Sequence, residues 1–150
     1  MPSLSINKIA LPDLGKLPFT GLQEWMRSVL RAITGGLYTP TLTNTTNLAA
    51  STAYECQWQQ TENTITVSGR VDVDPTAAGQ CVLGLTIPVS SQFDAVEQLA
   101  GTAVSPAVAG QCAALYADTT NFRATMEWVA VDTANRAMYF TFTYRIIRTP

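Results

Sequence analysis

Apolar residues change their spacing twice along this chain. Over residues 1–19 they stand apart, as Leu4, Ile6, Ile9, Leu11 and Leu14 among Pro2, Pro12, Pro18 and Gly15. Proline removes a backbone donor and disfavours helix in the residue before it. The stretch therefore predicts an extended arm, apolar enough to lie against a surface. From Thr20 the spacing becomes helical, with Leu22, Trp25, Met26, Val29, Leu30 and Ile33 on one face. Glu24, Arg27, Ser28 and Arg31 take the other face. Thr20 with Gln23 forms a capping-box pattern, and Gly35-Gly36 supplies the stop. A helix of about 14 residues is marginal alone, so its stripe predicts packing on a partner or on copies of itself.

Beyond residue 51 the period is two. Ile65, Val67, Gly69, Val71 and Val73 share one face of a long strand, and Thr64, Thr66, Ser68, Arg70 and Asp72 the other. Tyr54, Cys56 and Trp58 alternate with Glu55, Gln57 and Gln59 in the strand before it. CVLGLTIP reads as a more buried strand, while QLAGTAVS and QCAALYAD are weaker ones. At the end, Met126 and Trp128 alternate with Glu127 and Val129. Met138, Phe140, Phe142, Tyr144 and Ile146 alternate with Tyr139, Thr141, Thr143 and Arg145. The seam between the two regimes, Gly36–Ser51, reads as one edge strand over Thr39–Thr43 followed by a loop.

These elements predict an all-β fold, an antiparallel jelly-roll-like β-sandwich of about eight strands, preceded by the extended arm and one short amphipathic helix. The expected division is residues 1–35 for arm and anchoring helix and 36–150 for a β-sandwich knob. Several strands are apolar on both faces, notably CVLGL and the Val129/Val131 side of the last hairpin, and the weak strands carry Ala and Gly where a monomer would show charge; such surface marks association. A symmetric homo-oligomer is the expectation.

Composition narrows the partners. Charged residues are 13% of the 150, and Thr alone fills 21 positions. Such a surface is solvated without strong charge, and Thr favours strands. A net charge of −2 with scattered basic residues excludes a phosphate-reading stripe, so no nucleic acid is expected. No apolar run approaches the roughly 20 residues of a membrane span, and the N-terminus lacks a signal-peptide pattern. The expectation is a soluble chain made in a cytoplasm, without membrane insertion.

The chemistry is sparse. The chain has no histidine, which removes the commonest general base and metal ligand. Cys56, Cys81 and Cys112 are too few and too spread for a Cys-only zinc site and read as free, packed thiols. Asp72 and Asp74 share a strand face, as a cation site or a glycosidase pair would require, yet beside Arg70 they read as a solvated strand end. Asp118 and Asp132 read as turn residues. Most aromatics fall on inward faces. Trp25 is the exception, an anchor on an otherwise unsupported helix. No catalytic residues, metal or cofactor are expected.

The phrases YTPTLTN, VSGRVDVDPT and DTANRAMYFTFTY, spread over Gly36–Ile147, resemble the C-terminal β-rich module of tailed-bacteriophage virion proteins, found in tail-fibre tips and in head decoration and head fibre proteins. The resemblance implies a non-enzymatic homotrimeric knob on the outer surface of a virion, made in the host cytoplasm and attached to a phage capsid or another virion protein. Thirty-five residues before the module are too few for a long shaft, which points to a capsid decoration or cement protein. The alternative is a short tail-fibre or baseplate tip that contacts a host surface receptor through SSQFDAVEQ and SPAVAG.

Overall fold

The computed structural model of the chain describes residues 21–26 and 34–148. Residues 21–26 are helical, with Leu22 and Trp25 half-buried and Met26 exposed. The rest of the expected stripe, Val29, Leu30 and Ile33, and the arm residues Leu4, Ile6, Ile9, Leu11 and Leu14 lie outside the described residues.

Ten strands follow among the described residues, two more than the periodicity predicts: β1 (Gly35–Tyr38), β2 (Leu42–Thr46), β3 (Leu48–Ala53), β4 (Cys56–Thr61), β5 (Thr64–Pro75), β6 (Gly79–Leu85), β7 (Leu99–Val104), β8 (Cys112–Asp118), β9 (Arg123–Ala130) and β10 (Arg136–Arg145). The extra strands come from the seam. Of its expected strand Thr39–Thr43 only Leu42 and Thr43 are in a strand, since β1 ends before it and Thr39–Thr41 pass through a buried Pro40, and the expected loop after it continues as β2 and β3. Both are mostly exposed and carry no clean alternation, so period two gives no signal there.

All pairings are antiparallel, as expected. The layers of the sandwich are halves of one curled sheet, in the order β1-β4-β5-β10-β7-β8-β9-β6-β2, with β3 on β5 beside β4. β4 pairs with the first half of β5 and β3 with the second. Because β2 pairs with β6 and β3 with β5, a single residue, Asn47, joins strands lodged far apart in the pairing order.

Asn47 makes that corner by local chemistry. Its φ of 55° is left-handed, a region Asn tolerates because its short side chain bonds locally. The amide donates to the Ala77 carbonyl at 2.9 Å, and its oxygen accepts from the Thr76 hydroxyl at 2.5 Å. The Thr76 backbone N–H donates to the Asn47 carbonyl at 3.2 Å. The corner is thereby fastened to the turn between β5 and β6. Further along, Ser51 Oγ donates to Asn44 Oδ1 at 2.5 Å, so side chains bridge β2 and β3.

The inner face carries the expected alternation. Ile65, Val67, Val71 and Val73 of β5 and Met138, Phe140, Phe142 and Tyr144 of β10 are buried in one core with Leu83, Leu85, Met126 and Trp128. The rings of Phe140 and Phe142 stack with centroids 5.8 Å apart, and Tyr144 continues the ladder at 6.2 Å. Two glycines make room for it. Gly69 lies opposite Phe140, and a Cβ there would come 2.1 Å from Cys56 Sγ. Gly101 lies opposite Phe142, where a Cβ would fall 2.4 Å from the Phe142 Cβ. Tyr54 departs from the predicted inward face: it precedes β4, is exposed, and its ring lies under Arg70 at 4.5 Å.

Candidate functional site

The pairing gives the knob two distinct ends. At one, the Thr34 carbonyl accepts from Gln60 N–H at 2.8 Å close to the β4–β5 turn. Ile146 N–H donates to Asn63 O in that turn at 2.7 Å, and Gln92 N–H donates to Ile147 O at 3.0 Å. Ser91 Oγ donates to Arg145 O at 2.8 Å. Thr34 and the start of β1 therefore lie at the end that also holds the loop between β6 and β7. At the opposite end lie the β5–β6, β7–β8 and β9–β10 connections and the Asn47 corner.

This corrects the expectation that SSQFDAVEQ and SPAVAG act together. They occupy opposite ends, the first beside the entry of the chain. Phe93, the one aromatic they hold, is 2% exposed and meets Tyr144 edge-on at 5.8 Å. The Tyr144 hydroxyl donates to Val89 O at 2.7 Å, and burial pushes its pKa up to about 12. That loop is tied to the core and serves to close it.

The carboxylates are engaged as structural partners. Asp72 receives Arg70 Nε at 2.8 Å, Arg70 Nη2 at 2.9 Å and the Tyr54 hydroxyl at 2.8 Å. The Arg70 bonds hold its carboxyl below the usual range. Asp118 caps its turn through the backbone of Thr120 and Asn121 and binds Arg123 at 2.9 Å. Burial alone would raise it, and these bonds outweigh that and lower it. Asp132 accepts from Ala134 N–H and Arg136, which lower it in that order. Both match the expected turn role. Cys56 and Cys81 are buried and Cys112 is exposed, all three free. Among the described residues no three His, Cys, Asp or Glu gather where they could hold a metal ion, and no helix is long and apolar enough to cross a membrane.

The outer face of the sheet holds what sequence reading missed. Register aligns Arg70, Tyr139, Val104 and Cys112 across β5, β10, β7 and β8, and Val129 with Gln80 across β9 and β6; Cys112 and Val129 stand one position past the β8–β9 pair Ala113–Trp128 and line one concavity. Among them Tyr139 is 46% exposed, Val104 53% and Val129 65%. The next row holds Ser68, Thr141, Thr102, Ala114 and Glu127. Gln80 and the Tyr116 hydroxyl, the latter at 2.6 Å, both donate to Glu127. The Tyr116 bond lowers Glu127 and in turn pushes Tyr116 up to about 12. At the Val129 end the face dips into an open concavity of about 740 Å³, lined by Val108, Gln111, Cys112, Glu127, Val129 and Val131. Apolar residues at Val129 and Val131 are visible in the sequence, but their alignment with Val104 and Tyr139 depends on a strand order that pairs β10 with β7.

No family model matches the chain, and no curated protein or solved structure matches it either.

Proposed function

We propose that this chain is a non-enzymatic structural protein of a tailed-phage virion, a homotrimeric knob held to the particle by its N-terminal arm and helix and acting as a capsid decoration or cement protein. The observation that supports the reading is the polarity of the knob. Its chain enters at one end, beside Gln60, and its β5–β6, β7–β8 and β9–β10 loops gather at the other. An element entering at one end can hold a surface while the opposite end stays free. Threefold association multiplies weak single-arm contacts into lasting attachment. The receptor-tip alternative loses support, because Ser105–Gly110 alone of its two loops lies at the free end and carries no aromatic side chain.

The test is incorporation. A chain lacking residues 1–34 and the full-length chain are each supplied to the phage that encodes it, and the purified particles are assayed for bound protein. The shortened chain should keep its β-rich circular dichroism and be absent from particles. Incorporation equal to that of the full-length chain would overturn the anchoring role.

A further inference from the structure

We propose that the open recess beside Val129, on the outer face of β6, β8 and β9, is a binding site for a small organic cation, an ammonium group carried on an apolar chain. What points to it is the kind of polar atom the recess leaves unpaired. The site is independent of particle attachment and of threefold association.

Polar side chains surround Val129 on three sides. Gln80 lies opposite it on β6, Gln111 reaches it from the start of β8, and Glu127 precedes it on the same face of β9. Gln111 Nε2 donates to the Val129 carbonyl at 3.2 Å, and Gln80 Nε2 donates to Glu127 Oε1. A carbonyl and a carboxylate only accept, so both amides are fixed in these orientations. Their donors are thereby engaged inside the chain. So is the Tyr116 hydroxyl, which donates to Glu127 Oε2 at 2.6 Å. What remains accepts. Gln111 Oε1 is buried without a partner. Gln80 Oε1 receives no hydrogen bond from a described residue, and Glu127 keeps lone pairs beyond those its neighbours occupy.

Charge then selects the ligand. Asp72, Asp118 and Asp132 are each neutralised by an arginine of their own, Arg70, Arg123 and Arg136. Glu127 is different. A phenol and an amide bond to it, both neutral, so its charge stays uncompensated. Those bonds lower its pKa, and no cation contributes to the shift. The remaining side chains of the lining, among them Val108, Cys112, Ala114, Val129 and Val131, carry no positive charge and are mostly apolar. An anion would meet Glu127 with no side-chain donor free to receive it. A neutral apolar molecule would cover the acceptors without pairing them. An ammonium group brings three donors and no acceptor, and its apolar stem lies along Val129 and Val131. The volume of about 740 Å³ falls within the roughly 300–1,000 Å³ of small-ligand sites.

The test titrates hexylammonium, hexanol and hexanoate into the isotope-labelled full chain and follows amide chemical shifts by nuclear magnetic resonance. Hexylammonium should give saturable shifts at Gln80, Gln111 and Val129. Hexanol should bind at least about fivefold more weakly, the factor a partly exposed ion pair supplies, and hexanoate should not bind. Glu127→Gln removes the charge and keeps an acceptor for Tyr116, so it should abolish the preference for the amine over hexanol. Nα-acetyl-lysinamide separates the sources of such a group: binding tighter than that of hexylammonium assigns the recess to a lysine side chain of a protein, and weaker binding assigns it to a free amine. Hexanol binding as tightly as hexylammonium, hexanoate shifting the same residues, or no saturable shift with hexylammonium overturns the proposal on the unaltered chain alone. A folded Glu127→Gln that keeps the full preference for the amine overturns it as well.

Discussion

Replacing Gly69 by alanine should be among the most damaging single-methyl additions available to this fold. An added Cβ would lie 2.1 Å from Cys56 Sγ, 2.8 Å from Cys56 Cβ and 3.1 Å from Phe140 Cζ. Ordinary contacts between such atoms run near 3.5–4.0 Å, so the clash is more than an ångström deep. The sulfur cannot swing away freely, because Cys56 is 1% exposed and its β-carbon also obstructs. Overpacking a close-packed interior costs about 1–3 kcal/mol, and an obstacle this near the backbone puts the substitution at the upper end, about 3 kcal/mol. Cys56→Ala alone removes one buried heavy atom and should cost about 1 kcal/mol. In the double variant the 2.1 Å contact disappears while the 2.8 Å contact stays, so relief is partial. A coupling of about 1–2 kcal/mol between the two substitutions follows, within the range for touching residues. Urea unfolding of the four proteins, followed by tryptophan fluorescence, measures the cycle. Strict additivity, or a Gly69→Ala variant as stable as the parent, would refute the contact.

Two further outcomes follow from the same geometry. Asp72, Asp118, Glu127 and Asp132 all have lowered folded values, so the folded chain keeps these charges where the unfolded chain has taken up protons. Their stabilisation is complete above about pH 4 and is lost as pH falls through the lowered values. The urea midpoint should therefore be lower at pH 3 than at pH 6, and an unchanged or higher midpoint would contradict the assignments. Phe122, in the turn between β8 and β9, is exposed with a φ of 52°. Phe122→Asn should raise the thermal midpoint by relieving about 1 kcal/mol of left-handed strain, and a fall would show that the ring is packing on something.

What could be read from the letters alone depended on whether one face of a strand is buried. β5 and β10 alternate over ten or more positions, and both buried faces follow from that alternation. β2 and β3 are invisible to the same reading because a corner strand spends most of its length in solvent, where Thr, Asn and Ser serve equally as loop or strand. Tyr54 misleads for a related reason. Two residues before Cys56 it continues the apolar alternation, yet the chain has not entered β4, and the ring finds Arg70 outside the sheet. Gly69 shows in the letters only as one position of an apolar face, and Gly101 as part of a weak strand, since the rings they accommodate come from β10, far along the chain. The outer row was legible only as an apolar excess at Val129 and Val131. Its partners arrive by long-range pairing that no local pattern encodes.

The middle position of β10 governs when this molecule can come into being. Residues 136–145 are the last strand to be synthesised among those described, yet they hydrogen-bond to β5 on one side and β7 on the other. A growing chain that has completed β1 to β9 still lacks the strand between β5 and β7, and with it Phe140, Phe142 and Tyr144 of the core. Pairing across such a sequence separation is slow to nucleate, because loop closure comes before any contact that rewards it. Truncation or premature termination before residue 136 should therefore yield no partially useful knob. The order of synthesis acts as a checkpoint: only a chain read through to residue 145 can close its sheet and core.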